Sequence, residues 1–201
     1  MDIFDSLLEV SEKKKEDSVM NRFVFADPNR CIGCRTCEVA CVLSHSEENS
    51  VTSIDPARFH PRLKLIKNAK VTTPVLCRQC EDAPCAQVCP NNAIVSEDNQ
   101  IKVIQSRCIG CKTCVIACPY GAMNVVSEMV DNGAESALFK MKVPKAQALK
   151  CDLCSGSSTG PACVQVCPTN ALQLIEAEDI EEITKKKREA AAESIAAVAA
   201  L

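Results

Sequence analysis

The chain has 201 residues and a formal net charge of −3, with no tryptophan, one tyrosine, five phenylalanines and sixteen cysteines. This length permits one compact domain or two small ones, and so few aromatic side chains leave little for a conventional core. The basic runs at 13–15 and 185–188 are short and flanked by acidic residues, so the composition excludes nucleic acid as a partner.

The N-terminal segment, residues 1–19, carries apolar side chains at helical spacing and predicts an N-terminal helical extension. It lacks the basic start and apolar core of a secretory signal. No apolar run approaches the ~20 residues that span a bilayer. We therefore expect a soluble, cytoplasmic protein without a transmembrane segment.

The cysteines form four groups of four along the chain. Groups one and three have the spacing C-x2-C-x2-C-x3-C of bacterial ferredoxins. Groups two and four have longer spacers between their second and third cysteines. The groups are Cys31, Cys34, Cys37 and Cys41; Cys77, Cys80, Cys85 and Cys89; Cys108, Cys111, Cys114 and Cys118; Cys151, Cys154, Cys163 and Cys167.

The segments between the cysteines indicate short strands and loops. Groups two, three and four continue with Pro-x-x-Ala and an apolar alternation, which predicts a repeated unit of cysteine loop, short helix and strand. Alternating residues at 62–76 and 93–104 predict two β-hairpins. The polar segments 44–58 and 127–150 are interpreted as surface insertions.

The C-terminal segment, 181–201, is rich in alanine and predicts a helix that Asp179 caps and that begins at Ile180. Two interpretations of the terminal helices stay open. They fold back on their own subunit, or they lock neighbouring subunits together, because an amphipathic helix without a core needs a groove elsewhere.

Three chemistries can use sixteen cysteines. Disulfides suit small secreted domains, and the chain carries no export signal. Structural zinc usually separates two C-x2-C pairs by a dozen or more residues, whereas here three cysteines crowd together. Iron–sulfur clusters match the spacing, because a C-x2-C-x2-C loop wraps three corners of a cubane. Sixteen thiolates suffice for four [4Fe–4S] clusters, so we expect an electron-transfer protein that is largely unfolded without iron.

Other polar residues indicate a functional role less clearly than the cysteines do. His45 and His60 are predicted to lie on the surface. Arg78, Lys112 and Lys150 lie in or beside the cysteine loops, where a positive charge would raise a cluster's reduction potential, but we favour the interpretation that all three are solvated. The chain has no phosphate loop and no Ser/His/Asp set, so we predict no catalytic site of its own.

From residue 20 onward the cysteine motifs resemble those of the four-cluster subunits of formate hydrogenlyase, and of nitrate reductase, dimethyl sulfoxide reductase and respiratory formate dehydrogenase. The similar segments are 20–45, 77–90, 107–122 and 151–171. The resemblance implies an α+β fold of two pseudo-symmetric ferredoxin-like halves with added N- and C-terminal helices. The implied units are the extension 1–19, a half of 20–74 plus 143–180 with groups one and four, a half of 75–142 with groups two and three, and the helix 181–201.

The resemblance also implies that the fourth cysteine of each group ligates the neighbouring cluster. The implied ligand sets are Cys31, Cys34, Cys37 and Cys167; Cys151, Cys154, Cys163 and Cys41; Cys77, Cys80, Cys85 and Cys118; Cys108, Cys111, Cys114 and Cys89. A tandem pairing of groups one and two is the structural alternative.

The partners implied by the resemblance are a hydrogenase and a formate dehydrogenase, between which the chain would relay electrons. Some acetogenic bacteria join the two into a soluble hydrogen-dependent CO2 reductase whose small iron–sulfur subunits can polymerise. The terminal extensions suit that version and imply further partners, namely copies of the chain or a close paralogue. The alternatives are a subunit of another molybdopterin oxidoreductase, a mainly structural filament scaffold and a diffusible ferredoxin.

Overall fold

The computed structural model describes residues 20–46, 50–131 and 142–199. These residues form short α-helices and four two-stranded antiparallel sheets, β1–β8, β2–β3, β4–β5 and β6–β7. The strands are β1 (Phe23–Ala26), β2 (Leu63–Lys67), β3 (Thr72–Leu76), β4 (Ile94–Glu97), β5 (Gln100–Val103), β6 (Asn124–Asp131), β7 (Lys142–Leu149) and β8 (Leu172–Ile175). The helices are α1 (Thr36–Leu43), α2 (Pro84–Gln87), α3 (Thr113–Ala117), α4 (Ala162–Gln165) and α5 (Ala177–Ala199). The predicted N-terminal helix, 1–19, lies outside the described residues.

The sheet of β1 and β8 joins the beginning of the described chain to its end. Phe23 lies opposite Ile175, and Ala26 lies opposite Leu172. Val24 is fully buried, which is the inward position of a strand with alternating burial. Because β1 precedes group one and β8 follows group four, this pairing brings the two groups together, and α1 packs against α4.

The two predicted hairpins are confirmed. In the β2–β3 turn, Oδ1 of Asn68 accepts hydrogen bonds from the N–H groups of Lys70 and Val71, each over 2.9 Å. In the β4–β5 turn, Asp98 and Asn99 have φ of +53° and +57°. Asparagine and aspartate favour both arrangements, because their short side chains bond to the local backbone and tolerate the left-handed region.

The segment 127–150, interpreted from the sequence as a surface insertion, contains most of a hairpin formed by β6 and β7. The strands pair from Asn124 opposite Leu149 to Asp131 opposite Lys142. Pro144 favours a loop in the sequence, but among the described residues each sheet has two strands, so each strand there has an unpaired edge on which proline is tolerated. The hairpin also joins strands on either side of the domain boundary predicted at 142.

Two buried clusters form the interior of the described residues. The first is Val24, Ala26, Cys37, Cys41, Leu63, Leu76, Cys77, Cys151, Leu153, Cys163 and Leu172. The second is Ala83, Cys85, Ile94, Ile101, Cys114, Met123 and Ala148. Thiols take places that large side chains fill in an ordinary core, so the stability of this interior depends on what the cysteines bind.

The helix α5 begins earlier than the sequence predicts. Asp179 is not its N-cap, because Oδ2 of Asp179 accepts a hydrogen bond from the backbone N–H of Glu176 over 2.9 Å. This is the backward bond of a capping box and places Asp179 in the first turn. Aspartate is favoured at both positions, which is why the sequence points to the wrong one. Every side chain from 185 to 197 is exposed. None of the helices in the described ranges combines the length and apolarity that a membrane crossing requires.

The described part of the segment 44–58 lies on the surface, as predicted. It forms two 3₁₀ turns, Val51–Ser53 and Pro56–Arg58. The side chains of Ser50 and Asp55 accept hydrogen bonds from backbone N–H groups at the start of these turns. Val51 is 69% exposed, so the segment adds little to the core.

Candidate metal centres

The cysteine loops of groups one and three have the same backbone conformation. Gly33 and Gly110 have φ of +74° and +70°, and Arg35 and Lys112 follow with +65° and +66°. Glycine reaches this left-handed region without strain, so each loop can turn sharply between two cysteines. A Cβ on Gly110 would lie 2.3 Å from the Cβ of Ala146, so this loop lies directly against β7.

A threonine hydroxyl bonds to one cysteine in each of these two loops. Oγ1 of Thr36 lies 3.3 Å from Sγ of Cys34, and Oγ1 of Thr113 lies 3.3 Å from Sγ of Cys111. Both hydrogen bonds lower the pKa of the cysteine thiol and stabilise the thiolate. Sequence reasoning missed these threonines, although the shared order Cys-basic-Thr-Cys in groups one and three is the signal that could have found them.

The Pro-x-x-Ala repeat places a backbone donor on the fourth cysteine of its group. The donors are the alanine N–H groups, from Ala93 to Cys89 over 3.3 Å, from Ala122 to Cys118 over 3.4 Å and from Ala171 to Cys167 over 3.2 Å. The residue before each alanine is Asn92, Gly121 or Asn170, with φ between +47° and +61°, a region that asparagine and glycine adopt readily. Group one lacks the repeat, and the N–H of Arg62 bonds to Cys41 over 3.3 Å instead.

Three pockets are each lined by four cysteines, of which three come from one group and the fourth from another. They are lined by Cys31, Cys34, Cys37 and Cys167; by Cys77, Cys80, Cys85 and Cys118; and by Cys108, Cys111, Cys114 and Cys89. Most of the remaining lining is apolar. The arrangement follows from the helix contacts, because α1 packs on α4 and α2 packs on α3.

The remaining cysteines lie where α1 meets the loop of group four. Cys41, Cys151 and Cys163 belong to the first buried cluster. Burial, followed by the charges of Cys151 and Cys41, raises the pKa of Cys163. Oγ of Ser44 lies 3.6 Å from Sγ of Cys154, so the end of α1 faces this loop.

The chemistry of these cysteines fits iron. Burial raises the pKa of Cys37 and Cys85 to about 11 and that of Cys151 to about 12. A thiolate in such a place needs a positively charged partner, which iron ions provide. The N–H and O–H donors directed at the sulfurs are the interactions that tune iron–sulfur clusters. The residues present therefore fit [4Fe–4S] clusters.

His45 is exposed, as the sequence predicts, but both nitrogens of its ring have hydrogen-bond partners. Its Nε2 lies 3.0 Å from Oδ1 of Asp152, and its Nδ1 lies 2.7 Å from the carbonyl oxygen of Cys41. Burial lowers the pKa of His45, but these hydrogen bonds outweigh it and raise the pKa to about 10. Burial also opposes the charge of Asp152, yet His45 and Arg62 hold its pKa below the ordinary range. The ionic group of His45, Arg62 and Asp152 connects the end of α1 to the loop of group four. The second histidine, His60, is half-buried.

The three basic residues beside the loops differ in burial. Arg78 is exposed, and its guanidinium lies 5.9 Å from the ring centroid of Tyr120. Lys112 is also exposed, as predicted. Lys150 is only 2% exposed and its ammonium group donates to the carbonyl oxygen of Cys151 over 2.6 Å, so the prediction of a solvated side chain was wrong for this residue.

Two family descriptions match the chain across these loops. Residues 107–171 match the 4Fe-4S dicluster domain. Residues 74–129 match the LdpA Fe-S cluster-binding domain. Together the matched residues include all of groups two, three and four.

Several curated proteins are similar over most of their length. The electron transport protein HydN of Escherichia coli K12 is 52% identical over 169 residues, which are 84% of this chain and 96% of HydN. The putative electron transport protein YsaA of the same strain is 51% identical over 162 residues, 81% of this chain and 94% of YsaA. Formate hydrogenlyase subunit 2 of that strain is 44% identical over 188 residues, covering 85% and 89% of the two chains.

The chain belongs to the family of iron–sulfur electron-transport proteins that includes HydN and formate hydrogenlyase subunit 2. The resemblance inferred from the cysteine motifs is thereby confirmed. The cofactors are [4Fe–4S] clusters, and the sixteen cysteines match four of them. The chain is an electron-transfer protein and not an enzyme by itself.

Proposed function

We propose that the chain relays electrons in the cytoplasm between a hydrogenase and a formate dehydrogenase. The observation that carries this proposal is the 44% identity to formate hydrogenlyase subunit 2, across 89% of that subunit. That relative is a subunit of formate hydrogenlyase, so partners of the same kind are expected here. A bound [4Fe–4S] cluster would take up and release one electron at a time, and the residues of this chain would hold and tune it.

The proposed ligand sets take three cysteines from one group and the fourth from another. Three of the sets correspond to the three cysteine-lined pockets. The fourth set is Cys41, Cys151, Cys154 and Cys163, supported by the contact of α1 with α4 and by the position of Ser44. The tandem pairing of groups one and two has less support, since Cys167 lines the pocket of group one and Cys89 does not.

We propose that the chain forms two ferredoxin-like halves related by pseudo-symmetry. The similar φ values at Gly33 and Gly110 support this arrangement, as do the matching hydrogen bonds of Thr36 to Cys34 and of Thr113 to Cys111. The pairing of β6 with β7 favours a half that reaches residue 149 rather than 142. Groups one and four would then share one half, and groups two and three the other.

The helix α5 is proposed to join neighbouring subunits. Its side chains from 185 to 197 are exposed, including Ile195 at 69%. An alanine-rich helix presents small side chains that allow a close approach of a second helix. A copy of the chain or a close paralogue would be the partner, and residues 1–19 would take part in the same assembly.

The test begins with the full chain purified under anaerobic conditions. About sixteen iron and sixteen sulfide ions per chain, with interacting EPR signals after reduction, are expected for four clusters. About four zinc ions without sulfide would contradict the proposal and leave a zinc-stabilised scaffold.

The second step measures hydrogen-driven formate formation by the partner hydrogenase and formate dehydrogenase, with and without the chain. The proposal requires that formate formation depends on the chain carrying its iron. A Cys111→Ser variant removes one ligand from one proposed set and leaves the other three ligand sets intact. It therefore tests the effect of damaging a single centre in an otherwise complete chain. Electron transfer to a different oxidoreductase, with none to formate dehydrogenase, would contradict the choice of partner.

A further inference from the structure

A buried polar network joins the two core clusters. Lys150 and Gln79 are 2% and 1% exposed. Nζ of Lys150 donates to the carbonyl oxygens of Ile101 and Cys151 and, over 3.3 Å, to Oε1 of Gln79. Nε2 of Gln79 donates to the carbonyl oxygen of Cys151, and Oε1 of Gln79 accepts from the N–H of Ile101, both over 2.9 Å. Ile101 belongs to the second cluster and Cys151 to the first, so the network crosses between them.

The network holds a positive charge. An ammonium group has three protons, and Lys150 has three acceptors. These acceptors are uncharged, and Lys150 forms no ion pair with a carboxylate of the described residues. A buried charge without a counter-charge is costly, so the cysteine thiolates are the anions left to balance it.

The charge of Lys150 reaches cysteines of two proposed ligand sets. Lys150 donates to the carbonyl oxygen of Cys151 itself, and it also donates to that of Ile101, which lines the pocket of Cys77, Cys80, Cys85 and Cys118. Cys151 belongs to the set with Cys41, and Cys85 belongs to the set with Cys77. Cys77 lies in the same buried cluster as Cys151, which makes this the place where the two sets adjoin.

We infer that the Lys150 ammonium group, held in position by Gln79, raises the reduction potentials of the two centres that adjoin at the boundary between the buried clusters. A centre gains negative charge when it is reduced, so a fixed positive charge nearby stabilises the reduced form. The interior screens this charge much less than water screens an exposed lysine. Lys150 therefore influences electron transfer from one half to the other through the reduction potentials of these two centres. This role rests on the proposed ligand sets.

The test is an EPR-monitored redox titration of the full chain, reconstituted anaerobically with iron and sulfide. Lys150→Met removes the charge and keeps most of the side-chain volume. We expect two of the four reduction potentials to fall by at least ~59 mV each. A shift of this size is a tenfold change in the ratio of reduced to oxidised centre at a fixed potential. The other two should stay within error. Lys150→Arg should restore the two potentials toward those of the wild type.

Lys112→Met is the matched control, because Lys112 is also next to a cysteine but is exposed. It should shift no potential by as much as Lys150→Met does. Unchanged potentials in a Lys150→Met chain with full iron content would overturn the inference. If Lys150→Met does not load iron, Gln79→Glu carries the test, since it sets a carboxylate against the ammonium group and should lower the same two potentials.

These measurements need neither the hydrogenase nor the formate dehydrogenase. A wild-type chain that lacks four clusters would refute the proposed function. A four-cluster chain whose reduction potentials are unchanged by Lys150→Met and by Gln79→Glu would refute only the role of Lys150.

Discussion

Oε1 of Glu38 accepts a hydrogen bond from the backbone N–H of Leu65 over 2.9 Å, although Glu38 is only 1% exposed. The bond joins α1, which carries Cys37, to β2. Arg35 pairs with the other carboxylate oxygen over 3.2 Å and Lys64 lies 4.0 Å from Oε1, but their side chains are 59% and 69% exposed and only partly balance the buried charge. In group three the corresponding position is Val115. The buried carboxylate thus distinguishes the loops of groups one and three, which have the same backbone conformation.

The first prediction concerns this charge. Glu38→Gln keeps an oxygen acceptor for the N–H of Leu65 and removes the negative charge beside Cys37. The centre that contains Cys37 should become easier to reduce, with a rise on the order of 50 mV, because one nearby negative charge no longer opposes the added electron. An EPR-monitored redox titration measures the shift. A potential that stays constant or falls would show that Glu38 acts only through its hydrogen bond.

The second prediction concerns the loop of group three. Gly110→Ala places a Cβ 2.3 Å from the Cβ of Ala146, at a residue with φ of +70°. Strain and overpacking together should cost about 3 kcal/mol or more, so this variant should bind less iron and lose its visible absorbance at a lower temperature. Gly121→Ala is the control, since Gly121 has φ of +61° but no atom within 4 Å of the added Cβ. It should cost only about 1 kcal/mol. Equal losses in the two variants would contradict the close contact with β7.

The third prediction concerns removal of iron. The first buried cluster contains Cys37, Cys41, Cys77, Cys151 and Cys163, so without iron these thiols lose the partner that holds them together. Chelation under anaerobic conditions should abolish the native circular dichroism and expose the chain between 20 and 176 to proteolysis. Adding iron and sulfide should restore both. A chain that keeps its native spectrum after iron is removed would show that the core is stable by itself.

Local patterns predicted the parts of the fold that depend on neighbouring residues. The β4–β5 hairpin follows from two alternating runs around Asp98 and Asn99, and the cysteine loops follow from their spacing. The β6–β7 hairpin did not follow, because Pro144 gives the same signal on the edge of a sheet as in a loop. No local pattern indicates that Lys150 is buried, since its partner Gln79 lies in another cysteine group.

Some side chains around the cysteines can likewise be predicted from a local pattern, and others cannot. Thr36 and Thr113 stand at fixed places in a repeated motif, so a comparison of the two loops can find them. The group of His45, Arg62 and Asp152 is assembled from distant segments, and no local pattern predicts its members. Contacts of this second kind depend on the packing of α1 against the loop of group four.

The fourth prediction concerns α5 and separates assembly from electron transfer. Deletion of 181–201 removes most of a helix whose side chains from 185 to 197 are exposed, so the core should keep its iron and its reduction potentials. If α5 joins subunits, size-exclusion chromatography or negative-stain microscopy of the full chain should show assemblies that the truncated chain lacks. Ile195→Lys places a charge at an isoleucine that is 69% exposed and should weaken assembly in the same direction.

Lys186→Ala is the matched control for the fourth prediction. Lys186 forms an exposed ion pair with Glu182, and such pairs contribute little to stability, so this variant should assemble like the wild type. Assemblies of unchanged size after the deletion would contradict a joining role for α5. Loss of iron after the deletion would instead show that α5 supports its own subunit. Retained iron with lost assembly is the result expected of a relay whose joining helix and electron-carrying core are separate parts of one chain.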